Sequence, residues 1–276
     1  MATENISAQE YEAFCRFLRE ACGIVLGQNK LYLVQSRLRR LLDEEKLDGI
    51  GQLIDAVASG RNLRIKGKIV DAMTTNETYW FRDLQPYTMM HEVLLPELLE
   101  RASQPLRIWS AACSSGQEPY SISIVLDEFF RGRPRLRREV EIVATDISPT
   151  MLARAREGVY DELTISRGME QERRERYFEQ KDGAWRVKGD IRKRVKFVEL
   201  NLMKNFSNLG HFDLIFCRNV LIYFSAELKK DILNRIADSL KPGSYLFLGG
   251  AESMASYCDR FETIRYKGGL VFKLKP

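Results

Sequence analysis

The chain is 276 residues long, 45% hydrophobic and 29% charged, with 43 Lys and Arg against 38 Asp and Glu for a net charge of +5. That length supports a sizeable core without disulfides or metals, and the balance excludes collagen-like, rod-like and mainly disordered chains. The basic excess is too small and too local for a general nucleic-acid binder, and no apolar run approaches the roughly 18–20 residues of a membrane span.

In chain order, Met1-Ala2-Thr3-Glu4-Asn5 comes first and lacks the basic and apolar regions of a secretory signal, which predicts a cytoplasmic protein. Ser7 followed by Glu10 is a capping box, and Tyr11, Phe14, Leu18 and Ala21 then recur at helical spacing up to Gly23. A second helix is predicted over 28–46, with Leu31, Val34, Leu38 and Leu41 on one face; shorter helices follow near 50–58 and 62–75. No strand pattern interrupts this stretch, so it reads as a small all-helical domain. Pro86 and Pro96 punctuate a connecting segment.

From residue 105 the rhythm changes. Strands are predicted at 106–109, 140–145, 195–200 and 212–217, with helices from the Gly116 loop to about Arg131, from Pro149 to Glu157 and from Ala226 to Leu240. Pro242-Gly243 turns the chain into a strand at 244–248, and a last strand over 268–274, joined across 257–267, forms an antiparallel edge. Alternating strands and helices imply a mostly parallel sheet covered on both faces. Residues 164–194 break the alternation with a charged helix and a short β-like stretch, Ala184 to Val187, and read as an insertion.

In such a sheet, ligands bind beyond the carboxyl ends of the strands. Three loops qualify. Ser110 to Tyr120 is rich in small residues that let a ligand approach the backbone. Asp146 ends the second strand, where a carboxylate accepts from a ribose diol or caps a helix. Cys217-Arg218-Asn219-Val220-Leu221-Ile222-Tyr223-Phe224 follows the fourth strand. The first loop has one glycine and no Lys-Ser/Thr pair, so it is poorly equipped for phosphates; Glu118 would suit a cationic ligand instead. S-adenosyl-L-methionine fits this pattern. The five cysteines, Cys15, Cys22, Cys113, Cys217 and Cys258, are never spaced as CxxC, and with only His91 and His211 no metal site is expected.

These residues resemble the CheR family, the bacterial chemotaxis-receptor glutamate methyltransferases. The likeness runs through nearly the whole chain and is densest in Thr74-Thr75-Asn76-Glu77-Thr78-Tyr79-Trp80-Phe81-Arg82, the Ser110–Ser121 loop, Ala144-Thr145-Asp146-Ile147 and Phe216 to Phe224. It implies an α/β fold: a small N-terminal all-helical domain, then a Rossmann-like class I methyltransferase domain with a small antiparallel β-subdomain. The expected limits are 1–75 for a helical substrate-docking domain, 76–104 for a linker contributing to the cofactor site, and 105–276 for the methyltransferase domain, with the insertion at about 164–194. By the same resemblance Asn76, Thr78, Arg82, Glu118, Asp146, Asn201, Leu202, Arg218 and Asn219 line the cofactor site, and Tyr223 touches the transferring methyl. Cys113 and Gln117 depart modestly from the family pattern; Cys113 and Cys217 read as small buried thiols, with a redox-sensitive pair as the alternative.

The implied reaction is methyl transfer to a glutamate carboxylate of methyl-accepting chemotaxis receptors, giving a glutamate methyl ester and S-adenosyl-L-homocysteine. A carboxylate is ionised at neutral pH, its ordinary pKa being about 4.3, so no general base is needed. Arg82 is the candidate to hold it. Lys30, Arg37 and Arg40 fall within an arc of about 80° on the second helix and form either a dock for glutamate-rich receptor helices or a solvated face. The Arg131–Arg138 run reads as an exposed loop. Residues 178–187 hold only Gly183 and lack the glycine-rich insertion that accompanies receptor-tail binding in relatives, so an enzyme working without a C-terminal pentapeptide tether is expected; a monomer is expected, with a regulatory partner left open. A methyltransferase of another substrate and a non-catalytic cofactor sensor are the competing readings.

Overall fold

The structure is a computed structural model that describes residues 6–58, 62–101, 105–254 and 256–276; the opening Met1–Asn5 segment lies outside the described residues. Helix α1 (Ala8–Cys22) begins with the expected capping box: the Ser7 hydroxyl accepts from the Glu10 amide, and the Glu10 carboxylate accepts from the Ser7 amide. Its buried face is Phe14, Leu18, Ala21 and Cys22. Helix α2 (Leu31–Glu45) buries Val34, Leu38 and Leu41, and α3 (Ile50–Ala58) and α4 (Leu63–Met73) complete the bundle. Partly buried Ile147 and Tyr223 pack onto this core, so the helical domain is seated against the rest of the molecule.

The expected linker is largely helical. After an irregular stretch, α5 (Gln85–Met89) runs through a π-turn (Met90–Leu94) into α6 (Leu95–Arg101). Pro86 sits in the first turn, where its missing N–H costs nothing. The Leu95 amide donates to the Met90 carbonyl, a widened turn directly before Pro96, which admits a ring that a regular helix would reject. Met89, Met90, Leu94, Leu95, Leu98 and Leu99 are buried against the main sheet.

Strand β1 (Leu106–Ala111) leads into α7 (Gln117–Gly132), β2 (Val140–Asp146) and α8 (Pro149–Glu157). The insertion follows: β3 (Val159–Tyr160), α9 (Glu162–Ser166), α10 (Gln171–Tyr177), β4 (Phe178–Lys181), β5 (Ala184–Val187) and α11 (Gly189–Arg192). It makes a three-stranded antiparallel sheet in the order β3-β5-β4. Its first strand precedes the expected boundary at 164, because two residues are too few to show an alternation in sequence. The main sheet resumes with β6 (Val195–Glu199), β7 (Phe212–Cys217), α12 (Ala226–Asp238), β8 (Leu240–Leu248), β9 (Phe261–Tyr266) and β10 (Gly269–Leu274). Helix α12 stops two residues short of its expected end, and β9 occupies a stretch expected to be a connection.

The seven strands lie in the order β6-β2-β1-β7-β8-β10-β9. The first five are parallel, and β10 runs antiparallel to β8 and β9. Alternate residues feed two cores. Ile108, Ile142, Leu214, Phe216 and Phe247 face α5 to α7, while Trp109, Val143, Ile215, Cys217 and Leu246 face α12. Burial on both faces explains why these strands read as continuous apolar runs. Strand order reverses between β1 and β7, which places the topological switch point at their carboxyl ends. No helix among the described residues is long and apolar enough to cross a membrane.

Candidate functional site

A cleft opens at that switch point, enclosing about 940 Å³ including the part open to solvent. Asn76, Thr78, Arg82, Glu118, Asp146, Asn201, Leu202, Arg218, Asn219 and Tyr223 all line it. They arrive on five segments, the stretch 74–82 and the loops after β1, β2, β6 and β7, and the helical domain adds Cys22 and Ile24. Among the described residues ten non-glycine residues have positive φ, and Phe81, Asp83, Leu84, Ala112, Ser114 and Asn219 belong to the segments that frame the cleft. Backbone strain is concentrated where the chain must present itself to a ligand.

Asp146 is only 6% exposed. Its carboxylate accepts from the Ser114 amide at 2.7 Å and the Ser148 amide at 2.9 Å, one to each oxygen, which fixes it while leaving lone pairs on both. Burial pushes its pKa up, against the pull of the Ser148, Ser114 and Ile147 amides. Glu118 lies in the first turn of α7. It accepts from the Ser110 hydroxyl at 2.8 Å and from Arg218 at 3.0 Å, and burial raises its pKa against the opposing charge of Arg218. The Arg218 side chain is 1% exposed and also donates to the Arg82 carbonyl at 2.8 Å and to Asp83 at 2.7 Å. Its Nε is buried with no partner among the described residues, an orphan donor in the wall of the cleft.

Arg82 donates to the Glu77 carbonyl at 3.1 Å and lies 5.3 Å from the Tyr79 ring centroid; it has no carboxylate partner among the described residues. Two residues before it, Trp80 is fully buried edge-on between Tyr160 and Phe178, anchoring the segment to the small sheet. Asn76 gives its carbonyl to the Ser114 hydroxyl, and Asn201 donates to the Ala21 carbonyl at 2.9 Å. Tyr223 ends a 3-10 turn, and its carbonyl accepts from the Val25 amide at 2.9 Å. Two contacts therefore tie the helical domain to the loops after β6 and β7.

The donor set suits one kind of ligand. Asp146 faces the cleft with spare acceptors for a diol, and Glu118 is a buried acid that a ligand ammonium would relieve. Thr78 and Leu202 complete a mixed polar and apolar wall. S-adenosyl-L-methionine, with ribose, ammonium, carboxylate and adenine, meets each of these needs. Cys113 and Cys217 are both buried, and burial pushes both thiols well up, so neither has the low-pKa setting of a reactive cysteine.

The structure divides the three expected docking cations. Lys30 and Arg40 are exposed, Arg40 in an ion pair with Glu44 at 2.8 Å. Arg37 differs from the expectation of a free surface charge. Its guanidinium donates to the Met73 and Thr74 carbonyls and, at 3.0 Å, to the Thr75 hydroxyl, clamping α2 to the segment that enters the cleft. The last carbonyls of α4 lack intrahelical partners, and Arg37 on the neighbouring helix satisfies them.

Glu252 escaped the sequence reading altogether. It follows β8 and accepts from four backbone amides, Gly249 at 2.7 Å, Asn219 at 2.8 Å, Val220 at 2.9 Å and Leu221 at 2.7 Å. It thereby holds the loop that carries Arg218, Asn219 and Tyr223. A side chain at Gly249 would sit 2.8 Å from the Asn219 amide nitrogen, so that glycine is required by close approach. The available signal was positional: the loop after β8 ends at the same edge as the three loops that were chosen.

Comparison with known proteins identifies the family of the chain. Residues 9–74 match the CheR methyltransferase all-alpha domain, and residues 76–269 match the CheR methyltransferase SAM-binding domain. The chain is 50% identical to chemotaxis protein methyltransferase 1 of Vibrio cholerae over 276 residues, covering 100% of both chains. It is 48% identical to chemotaxis protein methyltransferase Cher2 of Pseudomonas putida, again over 100% of each. Chemotaxis protein methyltransferase 1 of Pseudomonas aeruginosa is 49% identical, with 96% of this chain and 98% of that one covered. S-adenosyl-L-methionine is the cofactor, and the chain belongs to the CheR methyltransferase family, a SAM-dependent methyltransferase of chemotaxis.

Proposed function

We propose that the protein methylates the side-chain carboxylate of glutamates in methyl-accepting chemotaxis receptors, releasing glutamate methyl ester and S-adenosyl-L-homocysteine. The observation that carries this reading is the engagement of every carboxylate lining the cleft. Glu77 is held by Arg167 at 2.6 Å, Glu118 by Ser110 and Arg218, and Asp146 by two backbone amides. His91 and His211 do not line the cleft. An acceptor must therefore arrive already able to attack, as an ionised carboxylate does.

The cofactor supplies an electrophilic methyl on a sulfonium. The chain's own residues do the rest. Arg82, without a carboxylate partner, attracts and orients the incoming glutamate. Tyr223 and Phe224 wall the cleft beside it, and the helical domain closes the rim at Ala21 and Val25 and excludes water. Orientation of this kind is worth roughly 7–11 kcal/mol of barrier. The test is incubation with methyl-labelled cofactor and receptor-containing membranes. Base-labile label on the receptor is the expected result. Base-stable label or label on another molecule would place the activity elsewhere, and no label at all would favour a sensor of the cofactor.

A further inference from the structure

The arginine run Arg131–Arg138 has no part in the cleft, yet its surroundings give it a use. A second cavity, enclosing about 1020 Å³ including space open to solvent, lies at the far end of α7 between the methyltransferase domain and the insertion. Separate stretches bring cations to its wall. Arg131 and Arg137 flank the 3-10 turn Pro134–Leu136, Arg176 lies in the last turn of α10, Lys188 follows β5 and Arg194 precedes β6.

Two acids share the lining with these five cations, and Arg176 is paired with Glu172 of its own helix at 2.9 Å. Asp127 is shared between Arg131 at 3.1 Å and Arg194 at 3.2 Å. Asp190 is drawn aside to Lys193 at 2.6 Å. Lys188 donates to the Glu175 and Arg176 carbonyls, and Arg137 has no ion-pair partner among the described residues. Behind the charges, Phe130, Tyr177 and Ile191 form a buried apolar backing. The Tyr177 hydroxyl is buried with no hydrogen-bond partner among the described residues, a second polar group in this wall that the protein itself leaves unsatisfied. Like charges held this close repel, and an anion between them relieves the repulsion.

We propose that this cavity binds the oligophosphate group of a phosphorylated small molecule. Guanidinium forks pair phosphate oxygens two at a time, and four arginines with one lysine match several charges in one compact group. A concave wall favours such a group over an extended acidic peptide, which needs a groove or a strand edge.

The test uses the full chain saturated with S-adenosyl-L-homocysteine, so that the cofactor cleft is filled. It is titrated calorimetrically at low salt with inorganic pyrophosphate and, separately, with hexaglutamate. One-site pyrophosphate binding is expected, weakened at least about tenfold by Arg137→Glu with Lys188→Glu. The same charge change at exposed positions outside the cavity, Arg39→Glu with Arg265→Glu, leaves it unchanged. Absence of pyrophosphate binding, equal loss in both double variants or tighter binding of hexaglutamate would overturn the proposal. Should the first double variant unfold, Arg137→Ala alone removes an exposed side chain that has no ion pair; it should weaken binding severalfold, and unaltered affinity would be equally fatal.

Discussion

Glu118 and Asp146 are both pushed up in pKa by burial, the reverse of what exposed, ion-paired carboxylates show. An acid with a raised native pKa holds a proton that the unfolded chain has released, so its contribution to stability declines as pH rises from the unfolded value through the native one. Ligand binding has the opposite sense. An ammonium and a ribose diol favour the ionised carboxylates, so affinity for S-adenosyl-L-homocysteine is full above the native pKa values and lost as pH falls through them. Calorimetry at successively lower pH should show weakening affinity with proton release on binding, and Glu118→Gln with Asp146→Asn should flatten the profile. A pH-independent affinity in the unaltered protein would remove both acids from the ligand contact. Glu252 acts through others, as a positioning residue. Each of its oxygens takes two amide donors, and Glu252→Gln turns an NH₂ group against one such pair. Losing even one charge-assisted bond costs about 1.5–3 kcal/mol, so turnover should fall at least about tenfold. Cofactor KM and kcat should both move, because the loop carries Arg218 and Tyr223 together; a change in melting temperature with kinetics intact would make Glu252 structural only.

At the scale of elements, legibility in the sequence followed the strength of local rules. The capping box at Ser7, the 3.6-residue stripe of α2 and the doubly buried strands β1, β2 and β7 each carry a signal within one window, and each is where the sequence placed it. Helices α5 and α6 did not, since two prolines speak against a helix unless one lies in the first turn and the other follows a π-turn, which only tertiary packing selects. Strand β9 is an edge strand with Glu262, Thr263 and Arg265 exposed, and a polar stretch of this kind reads as loop. The residues that line the cleft were reached through resemblance and through the rule for strand ends; the Arg37 clamp and the Glu252 bracket join segments far apart in sequence and left no local trace. Gly23 illustrates the same blindness. It caps α1 at φ 78°, as a helix-ending glycine does, but its missing side chain also admits the methyltransferase domain: a Cβ there would lie 2.5 Å from Leu228 and 3.2 Å from Phe224. Gly23→Ala should therefore cost about 1–3 kcal/mol through strain and overpacking, seen as a melting temperature several degrees lower. Transfer rate should drop with it, because Phe224 adjoins Tyr223. An unaltered melting temperature would show that the two domains are less closely seated than this contact requires.

For the molecule as a whole, the question is how a receptor helix reaches Arg82 and Tyr223. Beside the cleft, apolar Val25 and Ile222 are 50% and 45% exposed next to the hydrogen bond from Val25 to Tyr223, and at the start of α2 Lys30 lies over the exposed Tyr32 ring at 5.9 Å. An apolar strip beside a cation is what an amphipathic, glutamate-bearing helix would meet. The small sheet offers less. Its β4 edge is four residues long with Glu179, Gln180 and Lys181 exposed, and it ends in the tight Asp182-Gly183 turn, both residues at positive φ. Short, charged edges discourage an added strand. We propose that recognition lies with the helical domain and the cleft mouth, without a tether at the receptor's end. Lys30→Glu with Arg40→Glu should raise the receptor KM and flatten the salt dependence of methylation, since exposed charges are screened beyond about 8 Å at physiological ionic strength. Arg37→Ala should instead weaken cofactor binding, because its partners are the carbonyls and hydroxyl of residues 73–75. Deleting the last residues of a cognate receptor should leave its methylation nearly unchanged, and the free tail peptide should not bind at micromolar concentration. A large loss on deletion, or saturable peptide binding abolished by substitutions in β4, would show that the short hairpin does accept a strand and that docking begins there.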